Sequence, residues 1–415
     1  MTDLDTPLTL LGGMTARTFL AEYWQKKPLL IRSGLVDFTL PLDADELAGM
    51  AMEEDVESRI VIENGKTPWE LLQGPFDEST FANLPEKEWT LLVQAVDHWV
   101  PEVQALKEQF QFLPSWRLDD VMISYATQGG SVGPHYDQYD VFLVQVAGKR
   151  RWQVLAPDQY QDTAIKDISL HILDNFPVDD SMDWELETGD ILYLPPNYAH
   201  NGRSLDNDCM TYSIGFRAPS MQDALTGLRD KICDNVNEKD RFAAPESGSR
   251  THSAQITQDD IRYLQTELTR LIKQPDKLAQ WLGETMSESK YPEYLAPLNQ
   301  QELEQAYANA LAGNTFIRPG DARISYYDPS ALYSGEQQTL EGVDSEPLEN
   351  PSITVFCNGD SLSVHQQLAI FIQAICNQTE FDFSGLDLEQ DSDLPPLLRF
   401  LIRQQGLIEL TASEE

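Results

Sequence analysis

The stretch from Gly133 to Leu155, GPHYDQYDVFLVQVAGKRRWQVL, constrains this chain more than any other. His135 and Asp137 stand two residues apart, followed by an apolar run, Gly148, a basic cluster and a second run that alternates. Such a pattern reads as strand, tight turn and strand, because alternate side chains of a strand take opposite faces. On that reading His135, Asp137 and Tyr139 share one face. Across the turn, Arg150 shares a face with Trp152 and Val154, while Lys149, Arg151 and Gln153 take the other. If that apolar face is the interior, Arg150 is the basic residue sent inside. A buried guanidinium needs an anion. A pair of metal-ligand types and an inward cation on neighbouring strands predict a metal and an anionic cosubstrate.

A third candidate ligand lies downstream. Glu187-Thr188-Gly189-Asp190 reads as a turn, and ILYLPPNYAH as a strand that breaks at Pro-Pro and ends on His200. Two imidazoles and one carboxylate in a facial arrangement hold Fe(II) and leave positions open for cosubstrate and dioxygen. VMISYA (121–126) and TYSIGF (211–216) are further strands. Many short strands with Gly and Pro turns, and no alternating helices, predict an antiparallel barrel or sandwich.

Elsewhere the pattern is largely helical. Thr15 caps a helix carrying Phe19, Leu20, Tyr23 and Trp24, Leu29–Ile31 is a short buried strand, and 43–52 is a second helix. Arg59–Ile62 is a strand ahead of an Asn64-Gly65 turn. WTLLVQAVDHW (89–99) places Leu92, Ala95, Val96 and Trp99 at helical spacing and is expected to be a helix. After Pro219 come amphipathic helices, one with Leu225, Leu228, Ile232 and Val236, one capped by Thr257 with Ile261, Leu264, Leu268 and Leu271, and a third over 276–286. Between them, 243–253 reads as a Pro/Gly/Ser-rich loop. The last hundred residues predict a small α/β mixture with helices at 300–311, 364–376 and 395–403.

With 29 basic and 68 acidic residues the chain carries a formal charge of −39, a field that repels phosphates and attracts basic partners. The C-terminal region holds only Arg318, Arg323, Arg399 and Arg403 as cations, so direct DNA binding is not expected. Four scattered cysteines with no CxxC pairing argue against a zinc knuckle or disulfide framework. The N-terminus lacks the pattern of a secretory leader, and no apolar run approaches the roughly 20 residues that span a bilayer, so a cytoplasmic chain without membrane contact is expected.

The segments GPHYDQYDVFLVQVAGKRRW and ETGDILYLPPNYAH resemble the JmjC-type 2-oxoglutarate oxygenases. Within them the chain is similar to the bacterial ribosomal oxygenases, which hydroxylate an arginine of a large-subunit ribosomal protein. The likeness extends to EYWQKKPLLIR, DELAGMAMEEDVESRIV, WTLLVQAVDHW and WRLDDVMISYATQGGSVG. The resemblance implies an α+β chain: a double-stranded β-helix of the JmjC/cupin jelly-roll type with N-terminal helices over 1–219, a helical dimerisation region over 220–299, and a winged-helix-like domain over 300–415. It implies that His135, Asp137 and His200 ligate Fe(II) as the catalytic centre. It further implies that Arg150 pairs with the distal carboxylate of 2-oxoglutarate, with O2 as the other cosubstrate. Asp120, Met122, Tyr139 and Ser213 match the pocket for the target arginine, hydroxylated at C3. The chemistry suits them, since Asp120 can pair with a guanidinium and Tyr139 can stack on its plane. The expected partners are a basic large-subunit ribosomal protein and a second copy of the chain. Two alternatives share the motifs: a JmjC or cupin oxygenase for another protein or small-molecule substrate, and a non-catalytic scaffold.

Overall fold

The structure, a computed structural model, describes residues 4–233, 236–237, 239, 241–243, 251–296, 298–330, 352–386 and 392–410. The chain divides into two compact units, Met1–Ala218 and Pro219–Glu415. Most of the loop expected at 243–253 lies outside the described residues.

The first unit opens with the hairpin β1 (Pro7–Leu8) and β2 (Met14–Thr15), then α1 (Ala16–Glu22), where Thr15 Oγ1 accepts the Thr18 amide at 3.2 Å. β3 (Leu29–Ile31) follows, then α2 (Ala44–Met50), closed by a capping box between Asp43 and Glu46. Next come β4 (Ser58–Asn64), β5 (Pro68–Gln73), α3 (Glu78–Ala82), β6 (Trp89–Val93) and α4 (Pro101–Glu108). The remaining strands are β7 (Leu118–Ala126), β8 (Val141–Ala147), β9 (Arg150–Leu155), β10 (Asp183–Leu186), β11 (Ile191–Leu194), β12 (Ala199–Ser204) and β13 (Cys209–Phe216).

Eight strands form one sheet in the order β3-β11-β8-β13-β7-β6-β4-β5, and three form a second in the order β10-β9-β12. Every pairing in both is antiparallel. The period of two decides what each face does. On β8, Phe142, Val144 and Val146 enter a large core with Leu11, Phe19 and Leu47 from the N-terminal segments. Val141 and Leu143 turn the other way and meet Trp152, Val154 and Leu186 of the smaller sheet. The two sheets therefore face each other across an apolar filling, as a double-stranded β-helix must.

The segment 89–99 is not a helix. WTLLV forms β6, paired with β4 on one side and β7 on the other. Leu91, Leu92 and Val93 are all buried because both faces of this central strand are covered, so the apolar run mimics helical spacing. Ala95 then turns with φ 53° into a single helical turn, Val96–His98. The expected strand through His135 and Asp137 is also absent as regular structure. Gly133 sits at φ +81° against Ile172, Pro134 has no amide to give, and only His135 bridges to a neighbour, His200.

The second unit holds α5 (Met221–Cys233), α6 (Gln258–Ile272), α7 (Pro275–Ser287) and α8 (Gln300–Leu311). Its strands and remaining helices are β14 (Phe316–Ile317), β15 (Ile324–Tyr327), β16 (Ser352–Cys357), β17 (Asp360–His365), α9 (Ala369–Asn377), β18 (Glu380–Phe381), α10 (Leu394–Arg403) and β19 (Ile408–Glu409). The helix expected from 364 begins only at Ala369, because Val364 and His365 end a strand paired with β16. Helix α6 starts at a capping box between Thr257 and Asp260 and leaves Ile261, Leu264, Leu268 and Ile272 exposed along one side. No described helix is long and apolar enough to cross a membrane.

Candidate metal and cosubstrate site

Strand pairing places Arg150, His200, Met122, Ser124, Thr211 and Ser213 on the inner face of the β-helix, while His135 and Asp137 reach it from the connection before β8. In the smaller sheet Val154 lies opposite His200, Trp152 opposite Gly202 and Arg150 opposite Ser204. In the larger sheet Met122 lies opposite Ser213 and Ser124 opposite Thr211. Thr211 and Ser213 in turn face Gln145 and Leu143. Asp120, Met122 and Ser124 alternate on β7 with Val121 and Ile123, which enter the outer core. This polar row continues the inner face beyond the apolar filling.

His135, Asp137 and His200 come together with one donor atom each, all within 4.8 Å of one another. His135 Nδ1 lies 2.9 Å from the Gly133 carbonyl and His200 Nδ1 lies 3.0 Å from the Tyr198 carbonyl. A carbonyl only accepts, so each Nδ1 carries the proton and each Nε2 keeps its lone pair. His200 Nε2 stands 3.7 Å from Asp137 Oδ2. Burial first, and the neighbouring His135 second, lower the His200 pKa to about 4, outweighing Asp137 and the Tyr198 carbonyl. The imidazole is thus neutral at physiological pH. Two imidazole nitrogens and a carboxylate suit a divalent cation such as Fe(II) and leave the other side of the ion open.

The segment carrying the first two donors is held from both sides. His135 N–H donates to the His200 carbonyl at 3.1 Å and His200 N–H returns a bond at 2.7 Å. The Asp137 carbonyl accepts from Asn197 N–H at 2.7 Å. On the outer side, Tyr136 donates to Asp162 at 2.8 Å, His171 Nε2 meets the other oxygen of Asp162 at 2.8 Å, and Tyr160 packs on the Tyr136 ring. At the far end Asp140 is buried and takes bonds from Tyr193 and Gln25 and an ion pair from Arg117. Burial nevertheless raises its pKa. Sequence reasoning missed Asp140. The signal was a carboxylate directly ahead of an apolar strand, which needs such partners.

Arg150 is 3% exposed, whereas Lys149 and Arg151 are exposed and pair with Glu187 and Asp183. Its Nη1 donates to Ser124 Oγ at 3.1 Å and Thr211 Oγ1 at 3.2 Å. Its Nε is buried without a partner among the described residues. Burial without a carboxylate lowers the pKa of this cation. A guanidinium so placed fits a dicarboxylate whose far end is anionic. Its Cα lies four residues from that of Val154, about 13 Å along the strand from the level of His200. Trp152 spans the interval, 5.7 Å from the His200 ring and 5.2 Å from the guanidinium. A Cβ on Gly202 would stand 2.5 Å from the Trp152 ring, so that glycine is required by the close approach.

Of the remaining expected residues, Asp120 is buried and accepts from Gln94 Nε2 at 2.7 Å. Met122 takes a contact from Arg59 Nη2 at 3.7 Å. Ser213 is half-buried beside it. Tyr139 as a whole is 41% exposed, but desolvation of its hydroxyl first, then Asp137, to which it is hydrogen-bonded, and Asp120 nearby raise its pKa. Asp120 and Tyr139 approach each other across Gly215.

Comparison with known proteins gives matches along the chain. A JmjC domain model matches residues 105–224 and a ROXA-like winged-helix model matches 270–407. The ribosomal protein uL16 3-hydroxylase of Escherichia coli (strain K12) is 36% identical over 375 residues, covering 88% of this chain and 97% of that protein. A probable ribosomal oxygenase of Haemophilus influenzae is 32% identical over 401 residues, covering 91% and 93%. The crystal structure of the Escherichia coli ribosomal oxygenase YcfD superposes with a TM-score of 0.75 at 32% identity, over 96% of this chain and 98% of that one. The same protein in complex with cobalt and 2-oxoglutarate gives 0.75 at 31% identity, over 95% and 98%.

Proposed function

The chain belongs to the JmjC ribosomal oxygenases, and from that premise we propose that it is a 2-oxoglutarate- and Fe(II)-dependent dioxygenase that hydroxylates an arginine of a basic large-subunit ribosomal protein. The observation that carries the reading is the pairing of a His-Asp-His donor set with a buried, anion-seeking Arg150 on the inner face. The Escherichia coli relative is named for 3-hydroxylation of uL16, so uL16 is the first substrate to try and C3 the expected position.

His135, Asp137 and His200 would hold the iron, and Arg150 the distal carboxylate of 2-oxoglutarate. When bound, Fe(II) and 2-oxoglutarate supply the oxidising chemistry, in which O2 is divided between succinate and one hydroxyl on the substrate. The chain's own residues do the rest. The carbonyls of Gly133 and Tyr198 fix both imidazoles in the ligating tautomer. Ser124 and Thr211 aim the guanidinium, and Trp152 and its neighbours keep water from the floor. Asp120 and Tyr139 orient the target side chain at the open end, with Met122 and Ser213 as its walls.

The quaternary reading follows from α6, whose exposed Ile261, Leu264, Leu268 and Ile272 recur at helical spacing and suit a second copy of the chain. We take 1–219 as catalytic, 220–299 as the dimerisation region and 300–415 as the winged-helix-like part. With an overall charge of −39 the chain suits a free basic protein in the cytoplasm rather than DNA. The test is succinate formation from 2-oxoglutarate by the purified protein with Fe(II) and O2, which should rise on adding uL16. Failure to bind 2-oxoglutarate anaerobically with Fe(II) would exclude an oxygenase.

A further inference from the structure

Glycines inside strands need a reason, because they lose backbone entropy and leave no side chain to pack. In the first unit two stand out on the inner face. Gly202 is explained by Trp152, which a Cβ would strike. Gly215 on β13 is not explained in that way. Its backbone is not left-handed, and a Cβ there would meet only Tyr139 Cε2 at 3.9 Å and Asp120 Oδ1 at 4.0 Å, ordinary contacts. The protein itself would thus accept an alanine.

The position is nonetheless particular. The register of β13 against β7 shifts between Ile214 and Phe216, so Gly215 sits at a bulge opposite the start of the Asp120–Ser124 row. Asp120 is braced there, since Gln94 donates to its Oδ2 and its Oδ1 is the oxygen near Gly215. The Gln94 backbone is itself tied to the Glu57 carbonyl at 2.9 Å. Carboxylate oxygen and aromatic ring therefore flank one point, and the residue at that point has no side chain.

Resting on the reading above, we propose that Gly215 is a specificity-determining residue, keeping clear the space between Asp120 and the Tyr139 ring so that a flat cationic side chain can enter. A planar guanidinium can bond the carboxylate edge-on while stacking on the ring, whereas an ammonium does only the first. A methyl or larger group at 215 would stand where the substrate must lie. It would touch neither the metal donors nor Arg150.

The test uses the full chain with Gly215→Ala and Gly215→Val, and arginine-containing peptides tiled across uL16 as the probe. Gly215→Val should raise the KM of the peptide that wild type modifies by about tenfold or more, and Gly215→Ala by less. Both variants should keep wild-type Kd for 2-oxoglutarate in anaerobic titration. If Gly215→Val does not fold, Gly215→Ala decides, because its contacts require no rearrangement. A wild-type KM in the folded variant, with wild type hydroxylating the arginine, overturns this inference alone. If wild type leaves every arginine peptide unmodified, the substrate reading falls and the role of Gly215 falls with it.

Discussion

Replacing Arg150 with methionine separates the fit of a cosubstrate from the stability of the fold. In the free protein the guanidinium is buried, and among the described residues its Nε is unpartnered and its side-chain partners are the Ser124 and Thr211 hydroxyls, so burial opposes its charge. Arg150→Met removes that charge while keeping an apolar stem, and the free variant should melt at or above wild type. Binding should respond in the opposite sense. Losing one partner of a buried charge pair costs about 3–5 kcal/mol, which weakens 2-oxoglutarate binding by about 10²- to 5 × 10³-fold. Thermal melts of the metal-loaded protein under anaerobic conditions read both effects. At about 100 times its Kd, 2-oxoglutarate should stabilise wild type by about 2.7 kcal/mol; a variant weakened about 100-fold gains only about 0.4 kcal/mol at the same concentration. Lys149→Ala and Arg151→Ala remove exposed cations already paired with Glu187 and Asp183, and should leave the 2-oxoglutarate Kd unchanged. An unchanged Kd in Arg150→Met, or an equal loss in Arg151→Ala, would refute the reasoning.

Three further outcomes are expected. His135→Ala and Asp137→Ala should each abolish succinate formation while circular dichroism stays that of wild type, since neither residue packs in a core; turnover by either would sink the iron assignment. Gly202→Ala should cost about 1–3 kcal/mol by overpacking against Trp152, read from denaturant midpoints; an unchanged midpoint would contradict the close approach. Wild type should scatter light as two chains, and Leu264→Asp combined with Leu268→Asp as one; a wild-type monomer at micromolar concentration would remove the dimer.

The inner face of the barrel was legible in the sequence because period two leaves a mark when one face is apolar. The parity of Arg150, Trp152 and Val154 placed the cation inside, and burial of Arg150 with exposure of Arg151 agrees. Segment 89–99 misled because β6 is covered on both faces, which erases alternation and leaves an apolar run of ambiguous period. The His135–Asp137 segment misled in the opposite way. Its shape comes from Gly133 and Pro134 beside it, and from a single bridge to His200 and the Tyr136–Asp162–His171 contacts, whose partners His200, Asp162 and His171 lie far along the chain. Asp140, Gln94 and Gly215 escaped notice for the same reason. Each matters through a neighbour that only the folded chain supplies.

The measurement that bears most directly on the central claim is mass spectrometry of uL16 incubated with the protein, Fe(II), 2-oxoglutarate and air. One arginine is predicted to gain the mass of a single oxygen atom, with fragment ions placing it at C3 and none formed when 2-oxoglutarate is left out. The matching peptide with that arginine changed to lysine should react far more slowly, because Asp120 and Tyr139 suit a flat, forked cation. Equal modification of the two peptides, or uL16 left unoxidised while another substrate is turned over well, would contradict it.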